Sequence, residues 1–291
     1  MAESSSIADH CRTYALSDSA DSDFQEHCSH LHNESCPHCC QLQEVLSTLE
    51  SECSSVICND EEKADMLHAM KQARNNINSW KAHQLRSVHQ DEAKGSVLVN
   101  LNSKSEVFLV QDWAMKFMPR KFREPQSDWF TKRGLPWHIT VAIRRSEECE
   151  QLESQTFVHI FQNCSQDSTV VASIMQDCLV SLKKEMPELE KAYYKQDNAG
   201  CYHSGLAIIS AKLAGDIAGV AVVRNDFSDP QGGKGVCDRQ AATIKGNVRR
   251  YINEGHDVTT ATQLKTAVES GPGSCSKASC VALNPSTAPN V

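Results

Sequence analysis

The sequence predicts an α/β fold, a mixed five-stranded sheet flanked by helices, preceded by a small helical region rich in Cys and His. Three observations predict it. Three short apolar runs follow one another between residues 106 and 161 with no helical pattern between them. From residue 167 onward, helical and strand-like patterns alternate. Cysteines and histidines crowd into residues 28–40, well before the first strand. A run of strands followed by alternating helix and strand calls for a mixed sheet covered by helices.

Taken in order, residues 1–35 are rich in Ser, Asp and His and lack apolar periodicity, so they are expected to be irregular. Leu42, Val45, Leu46 and Leu49 mark one face of a short amphipathic helix. Asn59 caps a second helix, with Glu62 at its third position. That helix carries Met66, Met70, Ala73, Ile77, Trp80 and Val88 on a stripe read as a packing face, and is expected to end near Gly95.

Strands then follow. Glu106–Asp112 is apolar and ends in an acid, Trp137–Ile143 alternates, and Thr156–Phe161 reads as a third strand. Asp167 or Ser168 caps a helix that buries Val171, Ile174, Met175, Cys178, Leu179 and Leu182, and Pro187 stops it. A fourth strand runs from Ala192 to Asp197, a helix from about Tyr202 to Ala214, and a fifth strand from Val220 to Arg224. A Gly-rich turn over residues 229–235 opens a last helix over Val236–Asn253. The Gly/Ser/Pro/Ala-rich tail is expected to be disordered. The expected organisation is therefore 1–58 Cys/His element, 59–95 helix, 96–269 core and 270–291 tail.

Composition narrows the function. The start, MAESSSIADHC, lacks the basic and apolar segments of a secretory signal, so the 14 cysteines are expected to be reduced thiols in the nucleus or cytoplasm. No run approaches the roughly 18 apolar residues of a membrane span. A net charge of −8 weighs against a nucleic-acid partner, but the charge is uneven. Lys116, Arg120, Lys121, Arg123, Lys132, Arg133, Arg144 and Arg145 face only Glu124 and Asp128 in the stretch 113–145. Lys234, Arg239, Lys245, Arg249 and Arg250 face only Asp238 in the stretch 234–250. A local DNA-facing surface is compatible with that pattern, as is a solvated face.

Three acids stand where chemistry would need them. Asp112 closes the first strand, Asp197 closes the fourth, and Asp238 lies in the first turn of the last helix. Mg²⁺ takes a few carboxylates, with water and phosphate filling the remaining positions. Two such ions roughly 3.5–4 Å apart can activate a nucleophile and stabilise the leaving oxygen of a phosphodiester. Each acid also has a structural reading: a strand-end ion pair for Asp112, a turn former for Asp197, a helix-dipole partner for Asp238. Asp229 is the rival third acid, although its place before Pro230 favours a turn.

The element order describes a ribonuclease-H-like fold. The segment DPQGGKGVCDRQAATIKGNVRR resembles the DDE transposase and integrase pattern, in which a Pro-Gln-x-x-Gly loop precedes a helix bearing an acid, an Arg and later a Lys. Pro230, Gln231, Gly235, Asp238, Arg239 and Lys245 fill those places. Cys201 and His203, behind Asp197, are loosely similar to an element of Mutator-like transposases. The resemblance spans about residues 105–255. It implies a transposon-derived strand-transferase or endonuclease acting on DNA with two Mg²⁺ or Mn²⁺ ions held by Asp112, Asp197 and Asp238. Lys234, Arg239 and Lys245 would then contact phosphates. The superfamily usually has Glu as its third acid, and this chain has Asp, one methylene shorter.

A zinc site is expected at Cys28, His32, Cys36 and Cys39. Cys36-x-x-Cys39 is a knuckle half-site, and His30 is the alternative to His32. Cys11 or Cys58 could join. His138 and His159 read as packed core histidines. The competing reading is a catalytically inactive zinc-containing DNA- or protein-binding module on the same scaffold. A small-molecule α/β enzyme lacks any cofactor motif. Self-association into a homo-oligomer is left open.

Overall fold

A computed structural model describes residues 4–17, 25, 27–55, 59–102, 104–130, 132–146, 151–228, 235–271 and 279–283. The chain divides into two compact units, Met1–Ala93 and Lys94–Val291.

The first unit contains α1 (Arg12–Leu16), α2 (Pro37–Ser55) and most of α3 (Asp60–Asn100), with a 3-10 turn at Ala8–His10. Asn59 caps α3 as expected: its Oδ1 accepts from the Glu62 amide at 2.8 Å. Arg74 of α3 pairs with Glu50 of α2 at 2.8 Å. The predicted packing faces are partly open. Leu42, Val45 and Leu49 of α2 are exposed, as are Ile77 and Trp80 of α3. The helix also runs past Gly95. A helical glycine costs only about 1 kcal/mol. The new end is supported by Arg145, which donates to the carbonyls of Leu98 (2.9 Å) and Leu101 (3.2 Å).

The second unit is built on β1 (Glu106–Phe117), β2 (Leu135–Arg145), β3 (Leu152–Phe161), α4 (Ser168–Glu185), β4 (Lys191–Asp197), α5 (Gly200–His203), α6 (Gly205–Ala218), β5 (Ala221–Ser228), α7 (Val236–Asn253), α8 (Ala261–Glu269) and β6 (Ser279–Leu283). The strands lie in the order β5-β4-β1-β2-β3-β6. β1, β2 and β3 form an antiparallel meander, while β4 joins β1 in parallel and β5 joins β4 in parallel. This mixed five-stranded core, with helical crossovers after β3 and β4, is the ribonuclease-H-like fold. The sixth strand pairs in parallel with β3 and lies in the tail expected to be disordered. Its sequence, SCVAL, is too short and mixed to stand out among Ser, Gly and Pro.

Strand alternation sorts the helices onto two faces. Val107 and Leu109 of β1, Phe157 and Phe161 of β3 and Ala192 and Tyr194 of β4 face α4 and α6. Trp137, Ile139, Val141, Val158 and Ile160 face α7 and α8. α4 buries the six residues its periodicity marked, and Asp167 caps it by accepting from the amides of Thr169 and Val170, both at 3.0 Å. The single helix expected after β4 is two. Ser204 interrupts it and caps α6, its Oγ accepting from the Ala207 amide at 3.2 Å. Gly219, at φ 68°, ends α6 in the left-handed region where a side chain would be strained. The outer face of α6 leaves Leu206, Ile209, Leu213 and Ile217 exposed. No helix among the described residues is long and apolar enough to cross a membrane.

Candidate functional site

The carboxyl end of the β1/β4 pair is where the acids meet. β1 and β4 run in register from Glu106 opposite Lys191 to Gln111 opposite Gln196. The next residues are Asp112 and Asp197. Asp112 does not close its strand, because β1 continues to Phe117 by pairing with β2 through Ala114–Trp137 and Phe117–Leu135. It sits instead where β1 parts from β4. Asp197 does close β4, opposite Ser228 of β5, and its Oδ1 accepts from the Asn198 amide at 2.7 Å. By alternation both acids lie on the α7 face. Val110 and Ala114 pack against that face's cluster, whereas Ala192 and Tyr194 point to the other.

Asp238 arrives on α7. Buried Cys237 fixes the helix start, its thiol donating to the Val110 carbonyl at 3.3 Å. The Asp238 carboxylate accepts from the Gly235 amide at 3.0 Å and so also caps its own helix. Burial, then the negative charges of Asp197 and Asp238, push the Asp112 carboxyl up to about 6. Its charge is felt by Tyr202 and Cys237, both held high mainly by burial. The acids do not close on one point: among the described residues, one oxygen taken from each does not bring the three within 4.8 Å of one another. Asp112 is half-buried while Asp197 and Asp238 are exposed, and carboxylates so placed are of the kind that could hold a hard divalent cation.

Beneath the acids, on the opposite face, polar groups are buried in a line. Gln196 Nε2 donates to Gln111 Oε1 at 3.0 Å, and Gln111 Nε2 donates to Thr140 Oγ1 at 3.1 Å. The expected core histidines are both buried. His138 Nε2 meets the Tyr202 hydroxyl at 3.0 Å, and His159 Nε2 meets Asp177 at 3.1 Å. Burial, with a smaller contribution from His159, holds His138 well below its ordinary value, so it is a neutral imidazole. Sequence reasoning did not find Gln111, Thr140, Gln196 or Tyr202. Polar residues in an otherwise apolar strand were the available signal.

The basic residues are less open than the sequence suggests. Lys121 pairs with Asp128 at 2.9 Å, Lys132 pairs with Glu124, and Arg145 donates to the carbonyls of Leu98 and Leu101. Arg239 is exposed. Lys245 lies over the Trp137 ring, 5.8 Å from its centre. Lys234, Asp229, Pro230 and Gln231 lie outside the described residues. Cys201 packs against the α4/α6 core, and His203 meets the Phe227 ring edge-on.

In the first unit the four expected zinc ligands are divided. Cys28 and His32 join Cys11 and His30 in one group, while Cys36 and Cys39 join His10 in another. The physical reason is the start of α2 at Pro37, which sets Cys36 and Cys39 at a helical first turn, while Cys28–His32 lies before the helix and bends at Ser29 and His30. Both His30 and His32 belong to the first group. Cys11 is pushed down to about 6; burial opposes this, and hydrogen bonds with Tyr14, His32, Cys28 and Ser5 outweigh it. Cys58 lies outside the described residues.

Strand order and acid placement together define a ribonuclease-H-like α/β protein with three aspartates gathered at one end of its sheet. The chain belongs to the family described as Domain of unknown function (DUF8701), which matches residues 90–282. No curated protein matches the sequence. Among solved structures, the chain is similar to the Mos1 transposase paired-end complex with left transposon end, with TM-score 0.34, 10% identity and coverage of 86% of this chain and 75% of that one. It is also similar to the human cytomegalovirus terminase nuclease domain, Mn soaked and inhibitor bound, with TM-score 0.26, 10% identity and coverage of 66% and 71%.

Proposed function

We propose that the second unit is a transposon-derived DDE-type nuclease or strand transferase acting on DNA. The observation that carries this reading is the joint placement of Asp112, Asp197 and Asp238 on one face at the end of the β1/β4 pair. Asp112 and Asp197 would hold one divalent cation between them, and Asp238 would complete a second site. The ions, Mg²⁺ or Mn²⁺, would supply an activated water or sugar hydroxyl and stabilise the leaving oxygen. Asp112 must give up its proton to serve as a ligand, so metal binding there would weaken as pH falls. Lys234, Arg239 and Lys245 are assigned to DNA phosphates. Lys245, restrained against Trp137, would fix the phosphate track relative to α7. Zinc in the Cys/His element would order the first unit. We assign the protein to the nucleus or cytoplasm. The exposed apolar face of α6 supports a homo-oligomer.

The test is incubation of the full chain with DNA ends and Mg²⁺ or Mn²⁺. Nicking or joining is expected, and Asp197→Asn should abolish it. Activity that survives this change would place the reaction elsewhere. One observation favours a second reading, an inactive zinc-containing DNA- or protein-binding module: Asp238 already serves its own helix as a cap. DNA binding without cleavage under either metal would select that reading.

A further inference from the structure

We propose that the first unit holds two separate zinc ions. One occupies a closed cage of Cys11, Cys28, His30 and His32, and the other sits on His10, Cys36 and Cys39 with water in its fourth position. This inference stands independently of the nuclease reading.

The distances carry it. A tetrahedral zinc with Zn–S near 2.3 Å and Zn–N near 2.0–2.1 Å sets two sulfurs about 3.8 Å apart and a sulfur and a nitrogen about 3.5 Å apart. Cys11 Sγ lies 3.7 Å from Cys28 Sγ and 3.5 Å from His30 Nε2. Cys39 Sγ lies 3.6 Å from His10 Nε2. None of these cysteines is in a disulfide, which would require sulfurs near 2.05 Å. His32 Nε2 is buried with no hydrogen-bond partner among the described residues. A buried ring nitrogen without a partner is an unmet cost unless a ligand takes that place.

Ordering the segment also needs a source of free energy. Among the described residues of this unit the buried apolar side chains are Cys11 and Ala15. Nevertheless the chain crosses itself in a definite way: Ile7 bridges to Glu34, and the Glu34 amide donates to the Ser6 carbonyl at 3.1 Å. That crossing lays residues 7–12 beside 28–39. A structural zinc supplies on the order of 10–16 kcal/mol of apparent binding energy, far more than burying these two small side chains does. His10 and Cys11 are neighbours, and each serves a different group. The turn at Ala8–His10 therefore ties the two sites to one backbone hinge. The cage with four protein donors is of the closed, structural type, whereas three donors and water leave an exchangeable position.

The experiment is metal analysis of the full chain combined with X-ray absorption at the zinc edge. Two zinc ions per chain, with an average of about two sulfurs per ion, are expected. One ion per chain with about three sulfurs would mean a single Cys28/His32/Cys36/Cys39 knuckle and would overturn the proposal, as would a chain without zinc. His10→Ala should remove one ion and leave the Cys2His2 signature of the other. Retention of both ions in His10→Ala would also overturn it. The sulfur count is read on the unmutated chain, so misfolding of a variant cannot hide the answer.

Discussion

The thiol of Cys237 donates to the carbonyl of Val110 at 3.3 Å, and this contact sets the first turn of α7 over the middle of β1. It joins residues 127 positions apart and brings Asp238 into the electrostatic reach of Asp112. Burial and the two neighbouring charges act together on Asp112, and this has consequences that can be measured.

The first concerns stability. The Asp112 carboxyl is raised from 3.8 to about 6 in the folded chain, so the folded state holds its proton where the unfolded chain has lost it. This contribution is complete below the unfolded value and disappears as pH rises through about 6. Its full size is on the order of 2–3 kcal/mol. Asp112→Asn removes the charge and keeps the shape. Without added divalent cations, the variant should be more stable than the parent by about 1–3 kcal/mol at pH 8 and nearly equal below pH 4. Urea unfolding at both pH values checks this, and a variant that is weaker at pH 8 would refute the crowding.

Divalent cations should reverse the penalty. Mg²⁺ or Mn²⁺ added at pH 8 meets an ionised Asp112 and should raise the Tm. At pH 5 the ion must displace a proton, and the rise should be much smaller. Thermal scans of the parent and of Asp197→Asn separate this site from zinc, because the variant should lose the Mg²⁺ response and keep its zinc. An equal Tm response at both pH values would argue against Asp112 as a ligand.

The fold was legible where chemistry is local. The α4 stripe and its Asp167 cap follow from a 3.6-residue period and a side chain that reaches its own helix amides. The meander and the α7 limits were equally readable. What escaped depended on distant partners. Asp112 looked like a strand end because nothing local says that β2 will extend β1 to Phe117. The zinc donors seemed one cluster because Cys36-x-x-Cys39 is a local signal. Their division needs His10 and Cys11, brought in by the crossing of Ile7 over Glu34. α8 and β6 lay in segments whose apolar content is meaningful only against a sheet already formed.

DNA contact can be tested at Lys245. The side chain is partly buried and aligned with Trp137. Lys245→Ala should weaken DNA binding to a similar degree for unrelated sequences and lower the salt slope of log Kd by about 1. An unchanged salt dependence would return Lys245 to a purely structural role.

Packing around α6 offers an independent check of the fold. A Cβ on Gly215 would lie 2.5 Å from the Val220 carbonyl oxygen, a backbone atom with little room to move. Gly215→Ala should destabilise the chain by roughly 1–3 kcal/mol despite its better helix propensity. A gain in stability would mean that α6 and the start of β5 are farther apart than described.

The amide chain from Gln196 through Gln111 to Thr140 has a further consequence. It runs crosswise through β4, β1 and β2, one residue before Asp112 and Asp197, where no water can replace a broken bond. Sliding β4 against β1 would strand buried amides, so the two strands that carry Asp112 and Asp197 are pinned in register from inside the sheet.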